Sequence, residues 1–81
     1  MLIAGVKVES EDVLWLATEL IVRGQNDTAA VLLHADAEGT DIALTIVERE
    51  ALLGILDDPP QRLARLRAVL LREHVARARG A

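Results

Sequence analysis

The chain has no cysteine, no phenylalanine and no tyrosine, one tryptophan, one lysine and two prolines. Without cysteine there is no disulfide framework, thiol nucleophile, thiolate zinc site or iron–sulfur cluster. Two histidines do not by themselves furnish a metal centre, and no cofactor is expected. The near absence of aromatic rings removes the platforms on which single-stranded bases stack. The longest apolar runs, such as Ala51 to Leu56, extend over six residues, whereas a membrane span requires ~20. No charged segment followed by an apolar stretch and a cleavage pattern marks a secretory signal. The expectation is a soluble, cytoplasmic protein without a membrane association.

What is present is strongly aliphatic: fourteen Leu, thirteen Ala, eight Val and five Ile in 81 residues. With 52% hydrophobic residues and a net charge of −4, the chain is too apolar and too weakly charged for a disordered tail. Its length suits a single small domain, residues 1–81, because domains rarely fall much below ~50 residues. Replacement of Lys, Phe, Tyr and Ile by Arg, Ala, Val and Leu is also the codon signature of a GC-rich genome. A domain this small buries only ~60% of its unfolded surface. Lacking disulfide and metal staples, it gains from pairing with a partner.

Val6 to Glu9 alternates apolar and charged, the period of a half-buried strand, and Leu2 to Ala4 extends it beyond Gly5. Ser10 stands at an N-cap position with Glu11 and Asp12 in the following turn, where carboxylates favour the positive end of a helix dipole. A first helix is therefore expected over 11–23, ended by Gly24. Asn26 or Asp27 caps a second, Thr28 to Glu38, ended by Gly39. Asp41 to Thr45 alternates again, with Ile42 and Leu44 on one face of a second short strand. Thr45 and Glu48 have capping-box spacing and open a third helix to about Leu56. Asp58 as a cap and Pro59 at a first helical position start a fourth, from about Pro60 to Arg79. The expected fold is α+β, predominantly helical: four helices and two short strands in the order βααβαα, the strands available to pair with each other.

On a wheel of about 100° per residue, Val13, Leu16, Ala17, Leu20 and Ile21 form one core stripe of the first helix. Trp15 and Val22 point the other way, with Thr18 beside them. A helix apolar on two sides is covered on two sides, and Trp is prominent among interface hot spots. Trp15, Thr18 and Val22 are thus candidates for a self-association surface; the alternative is that they are covered within the monomer. Charge is segregated as well. Residues 1–58 hold twelve acids and three bases, net −9, and residues 59–81 hold six arginines and one glutamate, net +5. In the last helix Leu63, Leu66 and Leu70 mark the buried side, while Arg62, Arg65, Arg72 and Arg79 fan across the other. These four are candidate contacts to an anion or an acidic partner. Phosphate contacts of this kind position a nucleic acid without reading its sequence, but no nucleic-acid motif accompanies them and the acidic remainder repels a polyanion. The plainer alternative is a solvated face balancing the acidic half.

His34 and Glu38 have a spacing that suits one metal but lack a third ligand. His74 falls on the apolar side of the last helix, flanked on the wheel by Arg67 and Arg77, as a core-rim histidine or part of an anion pocket. Ser10 is the only serine, and it and the threonines occupy capping or turn positions, which leaves no activated nucleophile in view. The glycines are scattered, and no phosphate-cradling loop is present. An enzyme is not expected, and no small-molecule substrate is evident.

Leu44-Thr45, Glu48-Arg49-Glu50-Ala51-Leu52-Leu53, Leu56-Asp57-Asp58-Pro59-Pro60 and Leu66 through His74 together resemble a pattern in short, uncharacterised proteins of high-GC bacteria. The resemblance covers roughly the C-terminal half and implies no site. The sequence thus points to a non-enzymatic protein-interaction module, a homodimer through helix 11–23. The alternative is a small regulator or antitoxin-like protein that touches nucleic acid through the basic C-terminal helix.

Overall fold

A computed structural model describes residues 1–80. It is a predominantly helical α+β fold. The strands are β1 (Leu2–Ile3) and β2 (Val6–Lys7), and the helices α1 (Ser10–Val22), α2 (Asn26–Glu38), α3 (Ile46–Ile55) and α4 (Ala64–Gly80), the last preceded by a 3-10 turn, Gln61–Leu63.

The class is as expected, but the strands differ from the expected pair. Residues 2–9 do not run as one strand; they fold back at Ala4 and Gly5, so that β1 and β2 form an antiparallel hairpin pairing Leu2 with Lys7 and Ile3 with Val6. Both turn residues have positive φ, 51° at Ala4 and 80° at Gly5, the backbone signature of a two-residue primed turn. Ala is a poor sequence signal for that turn, which usually carries Asn or Asp before Gly. The expected strand over 41–45 shrinks to a single parallel bridge between Ile3 and Ile42. That bridge is fastened by Ile42 N–H to Leu2 O at 2.9 Å and Ala4 N–H to Ile42 O at 3.2 Å. Leu2 N–H also donates to Asp41 Oδ1 at 2.9 Å. Ile42 and Leu44 pack together against the core, as their alternation implies.

Helix boundaries follow local chemistry closely. Gly24 and Gly39, with φ of 77° and 70°, lie just beyond α1 and α2 in the left-handed conformation, where glycine avoids the Cβ penalty. The Thr45–Glu48 capping box is formed in full: Thr45 Oγ1 accepts from Glu48 N–H at 3.1 Å, and Glu48 Oε1 from Thr45 N–H at 2.8 Å. Three caps differ. Ser10 is already helical, Glu9 occupies the N-cap, and the Ser10 hydroxyl bonds Asp36 Oδ1 at 3.0 Å, tying α1 to α2. Helix α2 starts at Asn26, with Gln25 as N-cap and no side-chain cap bond. The last helix begins later than expected. Pro60 is extended, with ψ of 151°, and caps the 3-10 turn. The Pro60 ring disfavours the helical region for the residue before it; Pro59 is accordingly not helical, and Asp58 has no helix to cap.

The core is one cluster: Ile3, Val6 and Val8 of the hairpin region, Val13, Leu16, Ala17 and Leu20 of α1, Ala29 and Leu32 of α2, Leu52, Ile55 and Leu56 around the end of α3, and Leu63, Leu66 and Leu70. Helix α1 is central, packing on α2 and α3, while α4 packs on α3 and β2. Beyond Leu70 no described residue of α4 is buried, and only His74 is half-buried. The molecule measures 34 × 24 × 24 Å. No helix among the described residues is long and apolar enough to cross a membrane.

Candidate functional site

Helix α1 carries the first candidate surface, and its faces sort differently from the sequence reading. Val13, Leu16, Ala17 and Leu20 are buried, but Ile21, placed at the edge of the same stripe, is 51% exposed. Trp15 goes the other way: it is half-buried and packs against the core. Trp15 therefore flanks the surface rather than anchoring it. The large apolar side chains of α1 that face solvent are Leu14, 59% exposed, Ile21, and Val22, 75% exposed. Thr18 lies among them, its hydroxyl donating to Leu14 O at 2.8 Å. With that donor satisfied by the helix itself, Thr18 adds its methyl group to the face. Leu14, Thr18, Ile21 and Val22 follow the i, i+4, i+7, i+8 spacing of one helix side, so the outer side of α1 is apolar from Leu14 to Val22, while exposed Glu11 lies on the same side in the first turn.

The four arginines singled out by the sequence do not act as one group. Arg62, in the 3-10 turn, is engaged within the chain: Nη2 lies 2.9 Å from Asp12 Oδ1 and Nη1 3.2 Å from Glu11 Oε1. Asp12 is only 4% exposed, and its sole ion-pair partner among the described residues is Arg62. This guanidinium joins the start of the fourth helical segment to the first turn of α1. It is a structural contact and leaves the candidate anion surface. Arg65, Arg72 and Arg79 are exposed and take part in none of the described ion pairs, which are Lys7–Glu9 and the two of Arg62. The balancing of arginines against the acidic half is thus realised at Arg62. Arg72 and Arg79 flank an open apolar groove along the outer side of α4, made by Ala68, Leu71, Val75 and Ala76; Arg65 lies apart, beside Lys7 and the hairpin turn.

His34 and Glu38 are both exposed on α2, and the described residues include no group of three His, Cys, Asp or Glu side chains placed to hold a metal ion. Helix α3 holds what sequence reasoning passed over: Arg49, buried although charged, lining a cavity with Ile46, His74, Arg77 and Ala78. The available signal was the continuation of the Leu63, Leu66, Leu70 stripe into His74 and Arg77, where the buried side of α4 turns from apolar to cationic. Arg49 itself, between Glu48 and Glu50, reads as an ordinary surface residue. Comparison with family models, with curated proteins and with solved structures yields no match to this chain.

Proposed function

We propose that the protein is a non-enzymatic interaction module that pairs with a second copy of itself through the outer side of α1. The observation that carries this reading is the exposure of Leu14, Ile21 and Val22 on one helix side whose only hydroxyl is bonded internally. Single exposed apolar residues are ordinary, but a contiguous apolar patch on a small domain marks an interaction surface. A symmetric pair is the commonest way to bury such a patch, because one surface then meets itself. The small core of an 81-residue chain gives the pairing a stability role as well. Trp15, half-buried on the same helix and packed against the core, gives a fluorescence readout of the fold.

Light scattering after size exclusion tests the reading. Wild type is expected at twice the chain mass at micromolar concentration, and Val22→Glu or Ile21→Glu as folded monomers with unchanged far-ultraviolet dichroism. A wild type that stays monomeric at several hundred micromolar refutes it.

The alternative, a regulator touching nucleic acid, draws support from Arg72 and Arg79, which join none of the described ion pairs, but loses Arg62 to Asp12. Its test is retention on heparin at low salt, abolished by Arg72→Ala with Arg79→Ala. Flow-through at ~50 mM salt removes this alternative, since phosphate contacts strengthen as salt falls.

A further inference from the structure

A charged side chain taken out of water without a partner is among the least stable arrangements a protein can hold. Arg49 approaches that situation at one atom: the residue is 7% exposed, its Nε is buried with no hydrogen-bond partner among the described residues, and it belongs to none of the described ion pairs. It sits in the first half of α3, near the positive end of that helix's dipole, which adds to the unfavourable field. Of the two carboxylates adjacent in sequence, Glu48 is turned back to the Thr45 N–H in the capping box and Glu50 is exposed. The open cavity beside Arg49, about 290 Å³, is lined by Arg77 and His74 of α4 and by Ile46 and Ala78, with no carboxylate among the described lining residues. Of the charged residues nearby in sequence on the two helices, Glu50 and Glu73 are exposed and outside that lining.

We propose that the cavity between α3 and α4 is a binding site for a small phosphate monoester, with Arg49 and Arg77 gripping the phosphoryl oxygens and His74 completing the shell. Guanidinium groups present forked N–H donors that match phosphate oxygens in pairs. Two permanent positive charges are balanced by a phosphoryl dianion, whereas a carboxylate leaves one of them uncompensated. Ile46 and Ala78 supply apolar walls for the organic part of the ester. The volume lies at the small end of ligand cavities, which suits a compact ester rather than a dinucleotide. The site is separate from the outer side of α1, and the proposal does not depend on self-pairing.

Phenyl phosphate, inorganic phosphate and benzoate, each titrated at constant ionic strength, are the probes, read by thermal melting and by the Nε–H resonances of ¹⁵N-labelled arginines. Phenyl phosphate at ten times its Kd is expected to raise Tm by about 5–10 °C and to shift the Arg49 Nε–H signal. Inorganic phosphate is expected to bind more weakly, and benzoate weakest. Arg49→Met should melt at or above the wild-type temperature without phosphate, because the buried unsatisfied Nε–H is gone, and should lose the phenyl phosphate response. Arg77→Ala, at an exposed position, should keep the fold and raise Kd at least five-fold, and Lys7→Gln should leave Kd unchanged. The proposal is overturned by an absent or non-saturating response, by a response that survives in Arg49→Met, or by benzoate binding as tightly as phenyl phosphate. Should Arg49→Met fail to fold or melt below wild type, Arg49 has a structural role and the proposal falls.

Discussion

Replacing Arg62 tests whether this residue is a structural element or a surface contact. Its guanidinium reaches two carboxylates of different character: Glu11, exposed, at 3.2 Å, and Asp12, buried, at 2.9 Å. Exposed pairs contribute about 0–1 kcal/mol and are screened by salt. Breaking a fully buried pair by removing one partner costs about 3–5 kcal/mol. Because Arg62 is itself exposed while Asp12 is not, water partly replaces the lost guanidinium, and about 2 kcal/mol is expected for Arg62→Ala. For a domain of this size, ~1 kcal/mol corresponds to about 4–8 °C in Tm, so melting should fall by about 8–16 °C. Urea denaturation of Arg62→Ala, Asp12→Ala and the double variant isolates the pair. A coupling of about 1–2 kcal/mol that persists in 0.5 M salt is expected, while Glu11→Gln should change stability by less than ~0.5 kcal/mol. Coupling below ~0.5 kcal/mol, or coupling that salt abolishes, would refute the assignment of Arg62 to the fold and return it to the anion-contact group.

Two further outcomes follow from local geometry. Gly54 lies inside α3 with open space where a Cβ would stand, and its carbonyl, which accepts from Arg23 Nη1, is retained on substitution; Gly54→Ala should therefore raise stability by about 0.5–1 kcal/mol, read as a higher urea midpoint with unchanged slope. Thr45→Ala removes the oxygen that accepts from Glu48 N–H and should lower stability by ~1 kcal/mol, with hydrogen exchange accelerated at Ile46 to Glu48 more than elsewhere.

The sequence by itself determined where helices form and where most of them stop. Gly24, Gly39 and the Thr45–Glu48 box act through atoms within about four residues of one another, so their effect is present before any tertiary contact exists. The buried stripes Val13, Leu16, Ala17, Leu20 and Leu63, Leu66, Leu70 were legible for the same reason, because helical periodicity alone puts them on one side. Tertiary structure decided the rest. Ile21 belongs to the core stripe by periodicity and Trp15 does not, yet Trp15 packs against the core and Ile21 faces solvent, because which flank of α1 is covered depends on where its neighbours dock. Hairpin formation at Ala4-Gly5 required a backbone that Ala rarely adopts, held by the Ile3–Ile42 bridge from a distant segment. The partner of Arg62 and the burial of Arg49 were set by packing between segments far apart in the chain. Such electrostatic consequences depend on distances and solvent exclusion that exist only in the folded molecule.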